Sequence, residues 1–266
     1  LHASWNAMVK YQSDKLFGIT ALTFGYVPWA MFFIFFTQKY PTIEILPYVF
    51  CSAMLHIGYQ LFLFFSYRIG NYTQVYPIAR GSSPIIVVVV SIFVLGVKFS
   101  NLELISVLII CFGILILGLL QKNQLYNIST LFYSIGTGIF IASYSLVDGF
   151  GARLAQAPLT FFAWSAVLNA IIFGIVISFL RPGLITRIHQ NGKKMFFLGG
   201  ASSFFAYTLI IWSFTEAPIA LVAVLRETSI IFALLIGFFF LKEKLNLLKI
   251  CSVLIIFLGI VMLRLS

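Results

Sequence analysis

The stretch RGSSPIIVVVVSIFVLGVKFSNLELISVLIICFGILIL, residues 80–117, returns as RETSIIFALLIGFFFLKEKLNLLKICSVLIIFLGIVML, residues 226–263. Under a constant shift of 146 residues, 15 of the 38 positions are identical and no gap is needed. The identities include Arg80/Arg226, Ser83/Ser229, Lys98/Lys244, Gly113/Gly259 and the five-residue run 106–110 against 252–256. Self-similarity of this length marks repeat architecture. Both copies are apolar enough to sit in a bilayer, so this stretch decides the fold class.

Composition agrees. The 266-residue chain is 61% hydrophobic and 9% charged, with 30 Phe, whereas soluble domains run at about 45–50% apolar and about 25% charged. A soluble fold is excluded. The net charge of +10 does not indicate nucleic acid, which needs basic residues on one solvated face. Here they are scattered through short connectors, where they set topology and meet anionic lipid. Cys51, Cys111 and Cys251 lie inside apolar stretches, and their odd number precludes a complete set of internal disulfides. They lack metal-ligand spacing and read as small packing residues. No metal or cofactor is expected.

A bilayer-crossing helix needs about 20 mainly apolar residues. Such segments are predicted near 16–37, 45–67, 73–97, 102–121, 129–149, 158–180, 195–214, 217–241 and 246–264. Residues 1–9 are too short to span; because the chain begins with Leu1, they are expected to be the surviving end of a first helix. No cleavable signal peptide is expected. Turn punctuation falls between the segments, as in Lys39-Tyr-Pro41, Gly70-Asn71, Gln121-Lys-Asn123, Arg181-Pro-Gly183 and Gln190-Asn-Gly192. The longest connector, Arg181 to Lys194, is too short for a soluble domain.

The expected fold is therefore an all-α integral membrane protein with ten transmembrane helices, the first truncated. They form two five-helix repeats, residues 1–122 and 128–266. An odd number of helices per repeat makes the second copy enter the membrane from the opposite side. The repeats are then inverted about a pseudo-two-fold axis in the membrane plane, and a substrate site is expected near the midplane where the halves meet. That points to a transporter. One set of connectors carries Lys10, Lys15, Arg68, Lys122, Arg181, Arg187, Lys193, Lys194, Lys242, Lys244 and Lys249, against Lys39, Lys98, Arg153 and Arg264 in the other. The positive-inside rule puts the richer set in the cytoplasm and both termini outside.

Several stretches resemble EamA-type members of the drug/metabolite transporter superfamily. His2-Ala-Ser-Trp5-Asn6-Ala-Met-Val-Lys10 is similar to the end of that family's first helix. Ala79-Arg80-Gly-Ser-Ser-Pro84 resembles its fourth helix, Leu225-Arg-Glu-Thr-Ser229 its ninth, and Leu241-Lys-Glu243-Lys-Leu245 the short acidic connector before its last. The resemblance covers essentially the whole chain. It implies a central cavity opening alternately to either face and movement of small metabolites, often as export. The first repeat departs from it, reading Val97-Lys98-Phe99 where the second has Glu243.

Ionisable side chains deep in lipid are costly and usually face a cavity or a partner. Arg80 and Arg226 lie eight or nine residues inside their predicted helices, roughly 12 Å from the end. They are candidates to attract an anionic group or to pair with Glu227; the plainer alternative is a snorkelling stem with carbonyl contacts. Glu227 is a candidate to exchange a proton as the cavity changes sides, or to form a fixed ion pair. Arg226 is expected to point away from it, since adjacent helical residues do not face each other. Asp148 is expected near the end of its helix, as an interfacial or helix-end contact; its family position makes it a further coupling or gating candidate.

His2 and Asn6 share a helix face and are expected to hydrogen-bond between helices, at about 0.6–2 kcal/mol. His56, Tyr59 and Gln60 form one polar stripe; Thr73, Tyr76, Arg80 and Ser83 form another. Pro77 and Pro84 interrupt the second, and Pro84 cannot donate to the Arg80 carbonyl, so a kink is expected there. Trp5, Tyr76, Tyr144, Tyr207 and Trp212 are candidates for an aromatic-walled pocket suited to planar or cationic solutes. Anchoring or packing is the alternative for each.

The leading reading is a secondary transporter, exporting small metabolites such as amino acids or amines by alternating access with proton coupling. A lipid-group flippase or a non-transporting membrane partner subunit is the alternative. An enzyme is not indicated: 3 His and 7 Asp and Glu supply no nucleophile–base set or metal cluster. A GxxxxGK[ST] phosphate loop is also lacking. The expected partners are a small-molecule substrate and the lipid bilayer, with a homodimer considered and no nucleic acid. The expected location is the plasma (inner) membrane.

Overall fold

The computed structural model describes residues 1–10, 12–70, 72–119, 127–239, 242 and 246–266. All regular structure among them is helical: α1 His2–Lys10, α2 Lys15–Thr37, α3 Leu46–Ile69, α4 Tyr72–Phe93, α5 Asn101–Leu119, α6 Ile128–Ala155, α7 Pro158–Leu180, α8 Leu184–Asn191, α9 Met195–Glu216, α10 Ile219–Arg226, α11 Ser229–Phe239 and α12 Leu247–Leu265. The first five residues of α9, Met195–Gly199, form a π turn. With α10 and α11 taken as one segment, nine segments among the described residues are long and apolar enough to cross a membrane. The Leu241–Leu245 turn and most of the 121–127 link lie outside the described residues, apart from Lys242 and Asn127, as does the side chain of Thr73.

Three departures from the sequence expectation matter. The 181–194 connector contains the short helix α8. The segment expected over 217–241 divides into α10 and α11. Finally α6 continues to Ala155, so Asp148 is interior and fully buried, not a helix-end residue.

Side chains are sorted inside out relative to a soluble protein. Phe35, Phe93, Phe132, Phe179 and Phe239 are all more than 60% exposed, far more apolar surface than a soluble monomer presents. Thr20, Thr23, Ser66, Ser106, Ser134, Thr137 and Ser145 are fully buried or nearly so. Each hydroxyl donates to the carbonyl four residues earlier, at 2.6–2.9 Å. That local bond satisfies a polar group where no water is at hand.

The chain forms two compact units, Leu1–Gln60 with Leu146–Pro218, and Leu61–Ser145 with Ile219–Ser266. Each draws helices from both sides of the 121–127 link. In the first unit α2 packs on α7 and α9. A Cβ on Gly200 would stand 2.5 Å from the Gly25 Cα and 2.7 Å from its carbonyl oxygen, so the two backbones touch and only glycine fits. Asp14 caps α2 by accepting from the Phe17 N–H at 3.1 Å and pairs with Arg181 at 2.8 Å. Arg153 closes the far end of α9, donating to the carbonyls of Phe214 and Ala217 at 2.7 and 2.8 Å.

In the second unit α4 packs on α5, α5 on α12 and α10 on α4. The α5–α12 seam is reciprocal. A Cβ on Gly113 would lie 2.8 Å from Ile256 Cγ1, and one on Gly259 would lie 2.6 Å from Ile110 Cγ1. Gly113 and Ile110 are the repeat counterparts of Gly259 and Ile256. As α5 advances from Ile110 to Gly113, its partner on α12 recedes from Gly259 to Ile256, so the two helices run antiparallel.

Candidate functional site

In the second unit, Arg80, Arg226 and Glu227 are 5%, 7% and 0% exposed. Arg80 Nε lies 3.1 Å from Glu227 Oε2, and Arg226 Nε lies 3.3 Å from Oε1. Both carboxylate oxygens are therefore held by guanidiniums. Arg80 Nη2 donates to Ser229 Oγ at 3.5 Å and Arg226 Nη1 to Ser145 Oγ at 3.1 Å. One turn back on α4, the Tyr76 ring centroid lies 5.6 Å from the Arg80 guanidinium carbon, within cation–π range. Ser83 is buried on the same helix.

The Arg226–Glu227 pair overturns the expectation that adjacent residues point apart. The expectation holds for an α-helix, and the chain is not α-helical here. The N–H groups of Glu227, Thr228, Ile230 and Ile231 donate to the carbonyls three residues earlier, each at 3.0 Å. This tighter winding separates α10 from α11 and lets neighbouring side chains converge; such turns inside a helix often mark hinges. By contrast α4 keeps Pro77 and Pro84 within one undivided helix.

In the first unit, α3, α6 and α9 bring His56, Asp148 and Tyr207 together. The Tyr207 hydroxyl donates to Asp148 Oδ2 at 2.6 Å. His56 Nε2 lies 3.9 Å from the same oxygen, and its ring meets Tyr207 edge-on at 5.5 Å. His56 Nδ1 lies 3.0 Å from the Ser52 carbonyl; a carbonyl only accepts, so Nδ1 is the donor in that bond. Phe162 closes on Tyr207 at 5.0 Å. A turn further along α3, Gln60 donates to Thr23 Oγ1 at 3.0 Å and Asn169 Oδ1 at 3.2 Å, while Asn169 donates to the Ala53 carbonyl at 3.3 Å.

The remaining candidates are dispersed. Tyr59 is half-buried on α3, and Tyr144 is buried in the α6 segment of the second unit. Asn6 donates to the His2 carbonyl of its own helix at 2.8 Å, so the expected interhelical bond from Asn6 is replaced by a local one. Trp5 meets the His2 ring edge-on at 5.1 Å. Trp212 is 53% exposed. A cavity of about 250 Å³ opens beside Lys39, Tyr40 and Trp164, away from every predicted residue. Sequence reasoning missed Asn169 and Ser145, and named Ser229 only as the repeat counterpart of Ser83 and in the ninth-helix motif. Asn169 had a readable signal as the one amide in the apolar α7; Ser145 did not.

Residues 128–265 match the EamA-like transporter family. No match is found among curated proteins. A solved structure titled "Crystal structure of protein" superposes with a TM-score of 0.77 at 15% identity, covering 98% of this chain and 94% of its own. At that identity the likeness speaks for the fold alone.

Proposed function

The chain belongs to the EamA-like transporter family and is a multi-pass membrane transporter of the drug/metabolite type; on that premise we propose that it is a secondary active carrier exporting small metabolites. Amino acids or amines are the solute class, alternating access is the mode, and movement across the plasma membrane is linked to protons. The observation that carries this reading is the burial of Arg80, Arg226 and Glu227 inside segments of membrane-crossing length. Charges at such depth are costly and are kept where they serve a pathway. The reciprocal antiparallel seam between α5 and α12 supports inverted repeats, the architecture in which one bundle rocks against another.

Under this reading Arg80, with Tyr76 and Ser83, receives the anionic group of the solute. Glu227 and Arg226 gate that site by competing for the same charges. Tyr144, in the same unit, contributes aromatic surface for the rest of the solute. The test is solute flux in proteoliposomes against a panel of amino acids and amines, with and without a pH gradient. Saturable flux that rises with the gradient supports the reading; absence of flux for the whole panel overturns it.

A further inference from the structure

We propose that the segment Arg187–Lys194, the end of α8 and the turn into α9, is a binding site for phospholipids whose headgroup carries net negative charge. The transport reading does not require it, and the two stand or fall separately.

Basic residues lie in many connectors, and their surroundings differ. Lys15 donates to the carbonyls of Val9 and Gln12. Arg153 holds the end of α9, and Arg181 pairs with Asp14 at 2.8 Å. Arg187, Lys193 and Lys194 are exposed, and none of them makes an ion pair or a side-chain hydrogen bond with a described residue. The chain carries no acidic residue between Asp148 and Glu216, so the segment has no acid of its own, and Asp14 at the start of α2 is taken by Arg181. Three like charges within eight residues are left for an outside anion.

The fold fixes these charges at one level. α8 packs on α2 and α7 with Leu184 and Ile188 buried. At Gly192 an added Cβ would stand 3.0 Å from the Phe17 ring and 3.0 Å from the Ile188 backbone, so this turn is pressed onto the first turn of α2. The Phe196 N–H then donates to the Gly192 carbonyl at 2.8 Å, and Met195 is buried. The apolar side chains are thereby held inward and the basic ones outward, the pattern of an element that lies in a membrane interface.

The neighbours identify the medium. α7 ends at Leu180 and α9 begins at Met195, and both are of membrane-crossing length. Phe179 and Leu180, just before the connector, are 81% and 55% exposed; Phe197 and Leu198, just after it, are 60% and 56% exposed. Bare apolar surface on both sides of a basic turn sets that turn at headgroup level. There a cation meets phosphate while its stem lies along acyl chain. A soluble anion or an acidic peptide would make no use of the flanking apolar surface.

The test titrates the full chain, in micelles of an uncharged detergent, with fluorescent phosphatidylglycerol or phosphatidylcholine and reads bound lipid by anisotropy. Each basic residue near an anionic surface is worth about fivefold in binding, so the wild-type chain is expected to prefer phosphatidylglycerol at least roughly tenfold. Raising salt to about 1 M, where the screening length falls to about 3 Å, is expected to close most of that gap. Changing Arg187→Gln, Lys193→Gln and Lys194→Gln together is expected to bring the preference to about twofold or less at an unchanged unfolding temperature. Lys193→Gln and Lys194→Gln taken singly are each expected to lower it about threefold, so the outcome does not hang on one variant. Arg264→Gln, which removes an exposed arginine from the end of α12, is expected to leave it unchanged. A wild-type chain indifferent to headgroup charge overturns the proposal, as does a folded triple variant that keeps the full preference. An equal loss in Arg264→Gln overturns it too, by reducing the effect to net charge. Displacement of the lipid by equimolar inorganic phosphate or polyglutamate assigns the segment to a soluble anion or an acidic chain and overturns the lipid assignment.

Discussion

α4 and the α10–α11 pair occupy matching positions in the repeat, and their backbones do opposite things. The helix with two prolines is undivided from Tyr72 to Phe93, while its proline-free counterpart tightens and divides after Arg226. The difference traces to one register position. Residue 81 is glycine, and a Cβ there would lie 2.9 Å from Leu115, so α4 uses the site for close approach to α5. Residue 227 is a glutamate that must reach one arginine on another helix and one beside it in sequence. Tertiary charge pairing, more than local propensity, sets where this chain departs from the α-helix.

The most severe way to break that contrast is Glu227→Ala, which strands two buried guanidiniums. It is expected to cost about 3–5 kcal/mol, read as a large fall in thermal unfolding temperature in detergent. Adding Arg226→Gln is expected to recover part of the loss, and a non-additive double-mutant cycle checks this. Gly81→Val attacks the packing side of the comparison and is expected to cost about 1–3 kcal/mol through crowding against Leu115; Gly81→Ala should be milder, since the flexible end of Leu115 can yield. The smallest effect sharpens the backbone claim. Ile230→Pro installs the residue that α4 carries at Pro84. In an undivided helix it would cost about 3 kcal/mol, but at the first turn of α11 it removes one hydrogen bond and is expected to cost about 1 kcal/mol. Comparing its unfolding temperature with that of Gly81→Val ranks the two.

The helices were legible in the sequence because bilayer thickness imposes a length and the apolar runs meet it. Their ends were less so: α6 runs on to Ala155 through Gly149, Phe150, Gly151 and Arg153, whose glycines and charge resemble an ending. Arg80 and Glu227 were readable as unusual residues at depth, and their partnership was considered. The Arg226–Glu227 contact was not readable, because no sequence signal announces a turn that tertiary pairing creates. His56 and Tyr207 were each visible as polar marks on separate helices. Their convergence on Asp148 depends on how α3, α6 and α9 pack, which no local pattern encodes.

The seam in which Gly113 receives Ile256 and Gly259 receives Ile110 is self-complementary, since each strip carries both the notch and the knob. Two copies of α5 could dock on one another by the same steric rule, so shape alone does not select the heterotypic pairing. Covalent tethering does. Residues 121–127 join the half of the chain that carries α5 to the half that carries α12, and a mate on the same chain is met at an intramolecular effective concentration. Severed there and coexpressed, the two fragments should still recognise each other, and should also form homotypic pairs that the intact polypeptide suppresses.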